Sequence, residues 1–168
     1  MSQKISNISK YLDSTFLKTS VELNISKKEL EKIIISFVNK AIECNFKCVM
    51  IRSNYVSLAK SIISDKKSNV AIGTVVDFPL GTSCFEQKIK EAKAVLKNGA
   101  QELDYVCDYN SFKMGELDSF DESILKCTKI GLEANAVVKW IVETGALSKS
   151  EIKSISKRIY DIILKNFP

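Results

Sequence analysis

This chain of 168 residues contains no histidine, two prolines, one tryptophan and two arginines, Arg52 and Arg158. The missing imidazole removes the usual proton-transfer group near neutral pH, so triads of the Ser-His-Asp type are excluded. Acid-base chemistry must then fall to carboxylate, lysine, cysteine or tyrosine. A zinc site would need thiolates or carboxylates alone, and the five cysteines form no CxxC pair. No metal site is expected. The shortage of arginine argues against nucleic-acid reading, which leans on bidentate guanidinium contacts. The net charge of +5 comes from lysines scattered along nearly every helical segment, the pattern of a solvated surface. No apolar run approaches the roughly 18 residues of a membrane span, and MSQKISNISKYLDS lacks the apolar core of a secretory signal. A reduced, cytoplasmic setting with no membrane partner is the expectation.

What is present is an alternation of two periods. An apolar fraction of 45% can supply a core. A short helix is expected at about 3–10, then a strand in YLDSTFL. Ser26 caps a helix whose Leu30, Ile33, Ile34, Phe37, Val38 and Ala41 keep the 3.6 spacing. KCVMIRS reads as a strand, SNYVSLAKSIISDKKS as a helix and NVAIGTVVDF as a strand closed by a Pro-Leu-Gly turn. A helix opened by Ser83 ends at Gly99; ELDYVCDY is a strand; a helix runs from about 119 to 133; AVVKWIVE is a strand; Ser148 caps the last helix. Strands start near residues 11, 47, 70, 102 and 136, a step of about 31 residues that suits βαβ units.

The fold class is therefore α/β with parallel strands apolar on both faces. A doubly wound sheet and a (β/α)8 barrel both fit. Neither GxGxxG nor GxxxxGK occurs, so the nucleotide-binding versions of the open sheet lose their fingerprints. A barrel needs eight repeats and at least about 200 residues, and five are legible here. The expectation is one domain over 1–168: an incomplete TIM barrel of about five βα units, with strands six to eight absent.

Two charges stand inside apolar strands. Asp104 lies within ELDYV and Lys139 within VVKWI. Burying such groups is costly unless they are paired or used. Strand parity puts Tyr105, Trp140 and Val142 toward the covering helices and points Asp104 and Lys139 the other way, on adjacent strands at similar depth. Two readings stay open: a structural ion pair, or an amine beside a carboxylate, suited to imine formation and proton transfer. Asp13 and Thr15 on strand one, Arg52 at the end of strand two and Thr74 on strand three, expected inside, would converge with them at the C-terminal mouth. Arg52 reads as a surface residue or an anion contact. Asp77 in DFPLG reads as a turn-stabilising or a catalytic aspartate. Glu143 and Thr144 could cap the next helix or line the mouth.

The order YLDSTFLK, CVMIRSNYVSLAK, IGTVVDFPLG, EAKAVLKNGAQELDYV and NAVVKWIVETGALS resembles deoxyribose-phosphate aldolase. The resemblance implies a TIM barrel and a cofactor-free class I lyase. Such an enzyme cleaves 2-deoxyribose 5-phosphate to glyceraldehyde 3-phosphate and acetaldehyde through a lysine Schiff base, in deoxyribonucleotide catabolism. It implies that Asp104 belongs to the proton relay, that Lys139 lines the site beside the imine-forming lysine, and that Asp13 matches the first-strand aspartate. Ser14 stands where histidine is common, and Met50 where many relatives carry cysteine.

The family's imine-forming lysine lies in a VKTSTG-like motif on strand six. A KAAGGVR-like motif and glycine-rich phosphate loops follow. None of these occurs here. The expectations are a C-terminally truncated aldolase chain with little activity alone, and either a homo-oligomer or dependence on the absent C-terminal part. Two alternatives remain: a non-catalytic interaction subunit, or an aldolase-like enzyme whose nucleophile is Lys139.

Overall fold

The computed structural model describes residues 8–167. The helix expected at 3–10 falls mostly outside them; its described end, Ile8–Tyr11, is a 3-10 turn. The chain divides into two compact units. One holds the residues up to Thr74 with Asn98–Ala100; the other holds Val75–Lys97 and the residues from Gln101 onward.

In the first unit, β1 (Asp13–Phe16), β2 (Cys48–Ile51) and β3 (Ala71–Val76) form parallel ladders, and β3 continues past the unit boundary. Every residue of β2 is buried, as expected of a strand covered on both faces. Helix α1 (Lys27–Glu43) begins with a reciprocal cap: the Ser26 hydroxyl accepts from the Glu29 N–H, and the Glu29 carboxylate accepts from the Ser26 N–H. Its buried stripe is Leu30, Ile34, Val38 and Ala41. Ile33 lies at the margin of that stripe and is exposed. A 3-10 turn at Ser53–Tyr55 precedes α2 (Val56–Asp65), where the sequence suggests one continuous helix.

In the second unit, α3 (Phe85–Asn98, all but its last residue in this unit) is followed by β4 (Glu102–Val106), and α5 (Leu117–Glu133) by β5 (Val137–Ile141). The strand expected over ELDYVCDY stops at Val106. The chain then forms a short helix, α4 (Tyr109–Met114), that periodicity does not reveal. Its signals are local. The Asp108 side chain accepts from the Ser111 N–H, and Gly115 closes the helix at φ 80°. The last helix, α6 (Lys149–Asn166), starts at Ser148 as expected, with Glu151 completing a second reciprocal cap. Cys107, Phe120, Ile124, Ile155 and Ile159 form the core beneath α5 and α6, and Trp140 and Val142 pack against it. Arg158 of α6 pairs with Asp121 of α5 through both carboxylate oxygens.

Gly131 lets α5 approach β5. A Cβ there would collide with Val138 Cγ2. Gly131→Ala gains about 1 kcal/mol of helix propensity but must displace a packed strand, at a cost of roughly 1–3 kcal/mol. The expected result is a net loss of stability, read from the urea midpoint.

The cysteines divide by burial. Cys48, Cys107 and Cys127 are buried, Cys44 is half-buried and Cys84 is exposed. Burial pushes the Cys107 thiol up to about 12 and the Cys127 thiol up to about 11. Thiolate is the reactive form. An aromatic disulfide reagent at pH 8 should therefore modify Cys84 first, Cys44 more slowly, and the three buried thiols only on unfolding. Cys84→Ser should remove the fastest phase.

Candidate active site

The polar face of β4 and β5 follows from what covers the other face. Leu103 and Val138 lie under Gly131 of α5. Tyr105 stacks on Trp140 with ring centroids 5.0 Å apart, and the Trp140 Nε1–H donates to Thr128 Oγ1 on α5 at 3.0 Å. Burial raises the pKa of the Tyr105 hydroxyl, so it stays protonated. With the odd residues of β4 and the even residues of β5 pinned under α5, the alternate residues face away from it.

Those residues carry the charge. Asp104 and Lys139 are register partners. Lys139 Nζ lies 3.2 Å from Asp104 Oδ1 and 2.9 Å from Glu102 Oε2. Side-chain exposure grades across the cluster: Glu102 is 3% exposed, Asp104 17% and Lys139 33%. The ammonium thus bridges a deep carboxylate and a shallower one. Glu102 is absent from the sequence-derived candidates although it shares strand and parity with Asp104. A carboxylate at the start of a strand reads as a solvated terminus until a partner strand is laid beside it.

Two carboxylates at these distances favour the charged ammonium, whereas attack on a carbonyl requires the neutral amine. The arrangement suits Lys139 to orienting Asp104 and balancing its charge better than to nucleophilic attack.

Asp77, beyond the end of β3, organises the turn. Its carboxylate accepts from the Ser83 N–H at 2.9 Å and from the Ser83 hydroxyl at 2.8 Å, and its own N–H donates to Glu91 Oε2 at 2.9 Å. Its φ is 56°, and its carbonyl accepts from the Gly81 N–H. Lys88 of α3, 1% exposed, lies 3.4 Å from Asp77 and donates to the carbonyls of Gly81 and Val106 at 2.8 Å each. The buried ammonium fastens the DFPLG turn to the C-terminal end of β4. Nothing in the sequence marks it, because lysine on a helix ordinarily points to solvent. Glu143 adopts φ 53°, and Thr144–Ala146 form a 3-10 turn; the cap of α6 is Ser148 instead.

In the first unit, Asp13 and Thr15 share a face with Cys48, Met50 and Gly73. A Cβ at Gly73 would collide with Met50 Cε and lie 2.8 Å from Cys48 Sγ, confirming which side chains meet there. Asp13 is half-buried and Thr15 exposed. Thr74 departs from the expectation that it points inside with them. It pairs with Ile51, which pairs with Phe16, and Phe16 packs on Phe37 of α1 at 5.5 Å. Thr74 therefore lies on the helix-facing side, fully buried, and its hydroxyl has no hydrogen-bond partner among the described residues. Parity counted within one strand cannot say which set faces the helices; that requires the register. Arg52 Nε donates to the Leu17 carbonyl at 2.7 Å, so part of this guanidinium ties the end of β2 to the segment after β1.

No protein-family model matches the chain. Over 145 residues it is 34% identical to deoxyribose-phosphate aldolase of Thermococcus gammatolerans, a match covering 86% of this chain and 61% of that protein. Over 157 residues it is 34% identical to deoxyribose-phosphate aldolase of Metamycoplasma hominis, covering 92% and 66%. The chain belongs to the deoxyribose-phosphate aldolase family. It superimposes on the solved aldolase QR15 with a TM-score of 0.81 at 32% identity, over 94% of this chain and 65% of that one. The tetrameric deoxyribose-phosphate aldolase of Aeropyrum pernix matches at 0.71 and 26% identity, over 90% and 60%. The fold is the (β/α) barrel type of this family, represented by five βα units. The chain spans about six-tenths of the length of the curated relatives first matched. Among the described residues no helix is long and apolar enough to cross a membrane.

Proposed function

We propose that this chain provides the first five βα units of a lyase that cleaves 2-deoxyribose 5-phosphate, in the cytoplasm, within deoxyribonucleotide catabolism. The observation that carries the reading is the Glu102–Lys139–Asp104 cluster on the face turned away from α5. In the reaction, a lysine amine condenses with the sugar aldehyde and releases water. The C2–C3 bond then breaks as the C3 hydroxyl loses its proton, leaving glyceraldehyde 3-phosphate. The enamine takes a proton at its terminal carbon, and hydrolysis frees acetaldehyde. Asp104 is the group proposed to move these protons, held in place by Lys139. Asp13, Thr15 and Arg52 are proposed to line the substrate, and the imine to form on a lysine of the family's sixth strand. In this reading the chain turns over little alone and acts with a C-terminal βα part or within an oligomer.

Borohydride reduction in the presence of 2-deoxyribose 5-phosphate tests this. The expected result is no adduct on Lys139 in the chain alone, and aldol cleavage on mixing with a C-terminal polypeptide from a family member. A reduced adduct on Lys139 would make that lysine the nucleophile. Absence of cleavage in a folded, complemented mixture would favour a non-catalytic subunit.

A further inference from the structure

The N-terminal ends of β1, β2 and β3 carry a groove of about 630 Å³ that the proposed chemistry does not use. It is formed within the first unit by three turns: the one before β1, the one between α1 and β2, and the one between α2 and β3. Lys10, Lys47, Lys66 and Lys67 line it, and no aspartate or glutamate does.

Lysines that follow helices commonly serve as C-terminal caps. Here the backbone performs that task. The N–H groups of Cys44, Asn45 and Phe46 return to the carbonyls of Lys40, Ile42 and Ala41, and those of Lys66, Lys67 and Ser68 to Ile62, Ser64 and Ile63. Asn45 and Lys67, at φ 53° and 50°, make these closures. Among the described residues, the ammonium groups of Lys10, Lys66 and Lys67 have no carboxylate partner. Like charges gathered on one concave surface repel one another and attract an anion of matching extent. Lysine suits phosphate as a point charge.

We propose that this groove binds an anion bearing adjacent phosphate groups. Inorganic polyphosphate and a nucleoside polyphosphate share that chemistry, and half-buried Ile42 and Phe46 supply a wall on which a base could rest.

Calorimetric and amide-shift titrations of the whole chain with tripolyphosphate and with ATP, free of divalent cations, test this. Both ligands are expected to bind, more weakly as salt rises, with shifts centred on Asn45, Lys67, Ser68 and Asn69. A variant carrying Lys10→Ala, Lys66→Ala and Lys67→Asn should bind tripolyphosphate about tenfold more weakly, each lost ammonium removing part of the attraction. A variant with the same charge change elsewhere, Lys32→Ala with Lys93→Ala and Lys153→Ala, should bind as the parent does. Tighter binding of ATP assigns the base to the Phe46 wall; equal binding assigns recognition to the phosphate chain alone. Absence of binding by the parent at low salt overturns the proposal. So do shifts centred elsewhere, or equal weakening in the two variants.

Discussion

Lys88→Met should lower the thermal midpoint of this chain by roughly 10 °C. The ammonium is 1% exposed and serves three acceptors: the carbonyls of Gly81 and Val106, and the Asp77 carboxylate at 3.4 Å. Methionine fills a similar volume, so little of the effect is a cavity. The loss is electrostatic. Breaking a buried charge contact by removing one partner costs about 3–5 kcal/mol. We take the lower end, about 3 kcal/mol, because Asp77 keeps its two bonds from Ser83. For a chain of this size about 1 kcal/mol moves the midpoint by roughly 2–4 °C. Adding Asp77→Asn should recover part of the loss, because it removes the carboxylate left behind. Calorimetry of both variants checks the pair. A midpoint shift under 2 °C for Lys88→Met would mean that solvent reaches this ammonium.

The second large effect is at Lys139. Lys139→Met removes the cation from two carboxylates at once, and Glu102 is 3% exposed. Lys139 itself keeps a third of its surface, so water screens part of the interaction and the cost falls below that of a fully buried pair. About 2–3 kcal/mol is expected, measured from the urea midpoint at pH 7. Lys139→Arg should restore less than half, since a planar fork does not reproduce one ammonium set between two carboxylates. The combination Lys139→Met with Glu102→Gln should be more stable than Lys139→Met alone. If the double variant is instead the weaker one, Glu102 is held by interactions independent of the lysine.

The residues that announced themselves in the sequence did so by violating a pattern. Asp104 and Lys139 are charges inside β-branched runs, and burial makes such exceptions conspicuous. Ser26 and Ser148, each followed three residues later by glutamate, announced two helix starts through bonds made within one turn. Glu102 and Lys88 break no local pattern. A glutamate heading a strand and a lysine on a helix are what solvated chains contain. Their pairing comes from tertiary contacts: β5 laid beside β4 brings Lys139 to Glu102, and α3 brings Lys88 to the turn after β3 and to the end of β4. Thr74 shows the opposite error: alternation along β3 was plain, but its two faces are equivalent until Phe16 is seen packing on α1.

Taken alone, the amino-acid order determined the βα repeat, the parallel class, the family and the adjacency of Asp104 and Lys139. All of these rest on periods and motifs that act over a few residues or one repeat. Only the tertiary structure decided which face each strand turns to the helices, that Glu102 joins the charge cluster, that Lys88 is buried and that four lysines share a groove. Those outcomes depend on residues brought together from separate strands, helices and turns of the chain. There the free energy lies in paired charges and excluded water rather than in any local preference of the chain.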